Sequence, residues 1–262
     1  MPETFLRTPE GATVQVTGLG LLCPAGVGRE GAAGGRPGPV PGFRARAYIQ
    51  DRKSLKLMTR SVQLGVSAVN IALGAADGWD AVPPSRRGIF VGASPQPGDP
   101  DALRPALEAA QDDEGGFDLA AFASDGIPLI HPLWLVRGLS NNVIGFASAV
   151  NDLQGVNANW CDGAEGGWTA LLDGARAVAE GRADLVVAGG ADALVEAEML
   201  LAGRACGEGA AFLVLVPGTP GPGDRVVDLD TGCFDPAESL LGYLGAATWP
   251  VAVARALLAD SP

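Results

Sequence analysis

The chain has 262 residues, 47% hydrophobic and 18% charged, with a formal net charge of −12. It can bury a large core in one domain, or in a domain plus an appendage, and its acidity opposes nucleic-acid phosphates and anionic membranes. No apolar run is long enough for a membrane span, and MPETFLRTPEG lacks the basic-then-apolar layout of a signal peptide. The four cysteines are scattered and His131 is the single histidine, which argues against a metal site and for free, mostly buried thiols in a cytoplasmic protein.

Thr13 to Leu22 reads as a first strand with a glycine turn. Gly18-x-Gly20 suggests a dinucleotide loop, but Cys23 stands where a third glycine belongs, and no acidic residue closes a second strand. Arg29 to Pro41 is a Gly- and Pro-rich loop. Phe43 to Arg60 gathers Arg44, Arg46, Arg52, Lys53, Lys56 and Arg60, including both lysines of the chain. This is either a solvated helix start or a basic face able to meet an acidic partner or a phosphate. Val62 to Ala76 has helical spacing, Gly88 to Ser94 reads as a strand, and Pro95 to Asp99 as a loop. Asp101 to Gln111 is expected to be a helix and Phe117 to Ala123 a short one; His131 is expected in a loop with a local hydrogen bond. Asn142 to Leu153 is the helix that delivers Gly155.

Gly155 to Gly190 is the organising stretch. Val156, Ala158 and Trp160 alternate with Asn157, Asn159 and Cys161, a strand pattern. Asp162, Gly163, Gly166 and Gly167 provide turn and helix-start chemistry, and Leu171, Leu172, Ala175, Val178 and Ala179 recur at helical spacing. Leu185 to Gly190 is a short apolar strand, covered on both faces and stopped by two glycines. Such a turn can serve as a nucleophile elbow, because free N–H groups at a helix start stabilise a thiolate or oxyanion. It can equally be a plain strand–helix–strand unit whose glycines only permit close packing. Pro217 to Asp224 reads as a linker and Val226 to Leu229 as a strand, and within Glu238 to Leu258 a helix is broken or started at Pro250.

These pieces, in this order, resemble the β-ketoacyl-acyl carrier protein synthases. The resemblance covers roughly residues 12 to 216 and rests on VTGLGLLCPAGVG (16–28), LMTRSVQLGVSAVNIALGAAD (57–77), GIFVGAS (88–94), the elbow stretch and GEGAAFLVL (207–215). It implies a thiolase-like α/β fold: essentially the N-terminal half, a mixed, mostly parallel five-stranded sheet with helices on both faces, plus a much reduced C-terminal half. Residues 1–216 would form the ketosynthase-like domain, and 217–262 a linker and residual segment packed on it.

The resemblance also exposes departures. Counting from Gly155 or back from Gly190 places the reactive cysteine of the family at Ala164, so a methyl group replaces the thiol. Cys161, three residues earlier, is the alternative nucleophile. In the late stretch, Glu238 stands for the family's lysine and Tyr243 for its histidine, and no histidine follows residue 216. This pattern resembles a chain-length factor, the non-catalytic partner of a ketosynthase. It implies a heterodimer with an active ketosynthase through the strand at 156–161 and an acyl tunnel walled by Asn159, Trp160, Cys161, Trp134, Phe117 and Phe122. It also implies a carrier protein that docks on Arg44, Arg46, Arg52, Lys53 and Lys56 and delivers its own phosphopantetheine arm, so that no cofactor is expected. Residues 101 to 139 would be the variable, partner-facing part. A condensing enzyme using Cys161, a free-standing acyl or coenzyme A binding module, and a homodimer in isolation remain open.

Overall fold

The computed structural model describes residues 3–95, 100–112, 114–195 and 203–259. Its contacts divide the chain into two units, residues 1–94 with 140–262, and residues 95–139.

In the larger unit the chain begins with β1 (Thr4–Arg7), β2 (Thr13–Cys23) and β3 (Gly26–Val27). Helices α1 (Arg52–Leu55) and α2 (Arg60–Ala75) precede β4 (Arg87–Gly92). The smaller unit holds α3 (Pro100–Glu108), α4 (Leu119–Ala121) and α5 (Trp134–Gly138). The chain then returns through α6 (Asn142–Asn151), β5 (Asn157–Trp160), α7 (Gly163–Ala179), β6 (Leu185–Ala193) and β7 (Glu208–Pro217). It closes with β8 (Arg225–Asp228), α8 (Glu238–Leu241) and α9 (Thr248–Ala259). The loop expected at Pro95–Asp99 lies, beyond Pro95, outside the described residues.

The sheet order is β5-β4-β6-β7-β2-β1-β8, with β3 paired to β2. From β5 at one end through to β2, the strands β2, β4, β5 and β6 run in one direction and β7 runs against them. This is the mixed, mostly parallel five-stranded arrangement expected, extended beyond β2 by β1 and β8. β1 was not legible in the sequence, because four residues are too few to show a period; it is made by pairing with β2 on one side and β8 on the other.

Every residue of β4 and eight of the nine in β6 are buried, as strands covered on both faces require. One cover is α2 with α6, which brings Val62, Val66, Val69 and Leu73 against Ile89, Val91, Val187 and Phe212. The other is α7 with α9, which brings Leu171, Ala175 and Val178 against Phe90, Val186, Leu213 and Val253. Each fully buried Val or Leu here contributes roughly 1.5–3 kcal/mol. Gly18 and Gly20 hold no phosphate loop. A Cβ on Gly18 would lie 3.0 Å from Ala76 Cβ, and one on Gly20 would lie 2.9 Å from the Ala68 carbonyl carbon, so these glycines let α2 seat directly on β2.

Some boundaries differ from expectation. The glycines at 189 and 190 do not stop β6, which continues to Ala193 paired with Glu208. Their role is close approach: a Cβ on Gly189 would lie 2.8 Å from Phe212 Cα of β7. The basic stretch expected as a helix start is a 3-10 turn at Ala45–Ala47 followed by the four-residue α1, which Asp51 caps through Lys53 N–H at 2.9 Å and Ser54 N–H at 3.2 Å. Of the two roles expected for Pro250, it takes that of starting a helix, α9, because it falls in the first turn, where its missing N–H has no helical partner to lose. Residues 225–259 are built into the larger unit: β8 pairs with β1, and α9 packs on β7, β2 and α7.

Candidate functional site

β5 ends at Trp160, and the chain reverses through Cys161 and Asp162 into α7. Gly163 makes this possible: its φ is +50°, a left-handed conformation that side chains disfavour, and a Cβ there would lie 2.7 Å from the Tyr243 hydroxyl. The tight strand–turn–helix geometry read from the sequence is present. Asp162 makes no side-chain cap, so the first N–H groups of α7 are left to whatever sits above them. Ala164 is the second residue of that helix, and it is half-buried. It carries nothing that can attack, ionise or form a thioester.

Three segments close around this helix start. The 3-10 turn Gly245–Ala247 is seated against it, with the Ala246 carbonyl lodged where Cβ atoms on Gly167 and Gly190 would have to be. The Ala246 N–H donates to Asp192 at the end of β6 at 2.7 Å. The same carboxylate accepts from Ser94 N–H at 3.1 Å and from the Ser94 hydroxyl at 2.6 Å. Asp192 is fully buried, and burial pushes its pKa up to about 6 against those three hydrogen bonds. Sequence reading missed this residue; an aspartate inside an otherwise apolar strand was the available signal.

Tyr243 and Glu238 share one partner. The Arg204 guanidinium lies 3.9 Å from the Tyr243 ring centroid and pairs with Glu238 at 2.5 Å. The structure thus brings Tyr243 to the mouth of the elbow, and Glu238 to its side, through an arginine that sequence reading did not single out.

Cys161 is exposed and sits before the helix rather than on it. Its thiol donates to the Ser140 hydroxyl at 3.0 Å and accepts from the Asn159 amide at 3.0 Å. Neither partner is a base that could remove a thiol proton. Trp160 is 37% exposed at the end of β5. The other residues expected to line a tunnel belong to the smaller unit. There Phe117 is exposed, Phe122 and Trp134 are half-buried, and the two phenyl rings pack 5.4 Å apart. His131 is the loop histidine expected, its Nδ1 accepting from Leu133 N–H at 3.1 Å.

Arg44, Arg46, Arg52, Lys53 and Lys56 are all exposed. Arg60, the sixth cation of the stretch, turns inward. It reaches Glu208 through Nε at 2.8 Å and Nη2 at 2.5 Å, while Val40 N–H donates to the same carboxylate at 2.8 Å. Arg60 also lies 4.7 Å over the Phe43 ring. It anchors the basic stretch to the start of β7.

No protein-family model and no curated protein matches the chain. Solved structures do. A type II polyketide acyl-carrier protein in complex with its ketosynthase aligns with a TM-score of 0.61 at 20% identity, over 78% of this chain and 62% of that one. The ishigamide ketosynthase/chain length factor aligns with a TM-score of 0.61 at 20% identity, over 78% and 58%. The chain has the thiolase-like fold of the ketosynthases. A β-ketoacyl synthase from Burkholderia phymatum STM815 shares that ketosynthase fold with a TM-score of 0.58 at 21% identity, over 78% of this chain and 59% of its own. The chain therefore spans about three fifths of the length of these ketosynthase-fold structures. No described helix is long and apolar enough to cross a membrane, and no described cluster of side chains could hold a metal ion.

Proposed function

We propose that this chain is a non-catalytic, chain-length-factor-type subunit that pairs with an active ketosynthase in the cytoplasm and helps wall its acyl tunnel. The observation that carries this reading is the methyl of Ala164 at the elbow, where acyl transfer requires a nucleophile at the start of a helix. The hydrogen-bond partners of the Cys161 thiol, an amide and a hydroxyl, support it, because neither is a base. β5 is the end strand of the sheet, so its outer edge carries N–H and C=O groups free to pair with a neighbouring strand. Trp160, Asn159 and Cys161 lie at that edge, and Phe117, Phe122 and Trp134 are the bulky residues of the smaller unit that would face the partner. The five exposed cations Arg44 to Lys56 suit docking of an acidic carrier protein, one of the partners seen in the type II polyketide neighbour, which would bring its own phosphopantetheine arm.

The test is co-expression with a cysteine-bearing ketosynthase and its carrier protein. A stable heterodimer is expected, with acyl groups found by mass spectrometry only on the ketosynthase and the carrier. An acyl adduct on this chain, abolished by Cys161→Ser, would establish the competing reading of an enzyme that uses the exposed thiol. A chain that stays alone or self-associates, and binds acyl chains without a ketosynthase, would establish a binding module.

A further inference from the structure

Away from the elbow, a solvent-open cavity of about 580 Å³ lies between the β1–β2 turn and the segment that follows β8. Its size suits a small organic molecule. The lining divides by chemistry. Trp168 and Leu229 supply an apolar floor, exposed by only 9% and 2%. Trp168 is held in place by Trp249, edge-on at 5.9 Å, and by Phe234 at 6.2 Å. The ring is therefore a fixed surface rather than a mobile side chain.

The rim carries Arg7, Asp228, Asp230 and the exposed thiol of Cys233. Arg7 and Asp228 neutralise one another through a two-pronged pair, Nε to Oδ1 at 2.5 Å and Nη2 to Oδ2 at 3.1 Å. Asp230 has no cation partner among the described residues. Its Oδ1 accepts from Gly232 N–H at 3.0 Å, which holds the 3-10 turn Thr231–Cys233 beside the cavity. One carboxylate without a cation partner among the described residues and one nearly buried indole line the same cavity, in a protein whose net charge is −12. A cation is drawn to both the carboxylate and the face of the ring, while an anion is repelled.

From this juxtaposition we infer that the cavity is a binding site for a small organic ammonium with an apolar body, the body on Trp168 and Leu229 and the ammonium at Asp230. The site uses no residue of the elbow and stands whether or not the chain pairs with a ketosynthase.

The probe pair is phenethylammonium chloride and the neutral phenethyl alcohol, titrated calorimetrically into the full chain. The ammonium should bind about tenfold more tightly than the alcohol, and Asp230→Asn should remove that difference while leaving alcohol binding unchanged. Asparagine keeps an oxygen for Gly232 N–H, so the turn is retained. Saturating phenethylammonium should also slow iodoacetamide alkylation of Cys233 and leave Cys161 unaffected. Equal binding of the two probes, full discrimination in the Asp230→Asn variant, or unprotected Cys233 would each overturn the assignment.

Discussion

Asp192 gives the chain a pH dependence that can be worked out in advance. In the unfolded chain an ordinary aspartate loses its proton near 3.8, whereas in the folded protein burial pushes this one up to about 6. The folded state therefore holds an extra proton between those values. Stability from this group is fully present below pH 3.8 and is lost as pH rises through 6. At 1.36 kcal/mol per pH unit, the gap corresponds to about 3 kcal/mol. Asp192→Asn keeps the shape of the side chain and removes the titration. Urea unfolding of the two proteins from pH 4 to pH 7.5 isolates the effect, because every other titrating group cancels in the difference. The variant should gain about 2–2.5 kcal/mol relative to the parent across that range, since part of the full effect is already lost by pH 4, with most of the change between pH 4 and 6.5. A difference that stays constant within about 0.5 kcal/mol would show that the three hydrogen bonds to Asp192 fully offset its burial, and the reasoning would fail.

Other consequences follow from the same contacts. Glu208→Gln should cost about 2–3 kcal/mol in urea unfolding, below the full value of a buried ion pair because the Arg60 side chain is 40% exposed; a double-mutant cycle with Arg60→Met measures the coupling. Gly167→Ala places a Cβ against the Ala246 carbonyl and 3.0 Å from Pro250 Cδ, so it should cost about 1–3 kcal/mol and open residues 242–259 to limited proteolysis. Gly74→Ala, in α2 with nothing within 4 Å of the new methyl, should instead stabilise by roughly 0.5–1 kcal/mol in the same assay. In the native protein without added ligand, iodoacetamide should label Cys161 and Cys233 rapidly, and Cys23 and Cys206 only after denaturation; labelling of a buried pair member at native pH would contradict the packing.

Much of this molecule could be read from local pattern. The apolar runs at 88–92 and 185–190 identified the two strands buried on both faces, and helical spacing identified α2 and α7. The turn followed from glycines clustered between a strand and a helix, whereas Ala164 was singled out only through the resemblance to the ketosynthases. These are short-range properties, set by side-chain period and backbone freedom, and they survive without a tertiary structure. What the sequence left open depends on partners far along the chain. β1 exists because β8, more than two hundred residues away, pairs with it. Arg60 looked like one more surface cation until Glu208 drew it inward. Asp192, Tyr243 and Arg204 acquired roles only when the Gly245–Ala247 turn was brought against the start of α7. The cavity beside Trp168 is likewise assembled from three separated stretches. Hydrogen bonds and charges have no period, so which of them meet is decided by the packing of the whole chain and not by any window of its residues.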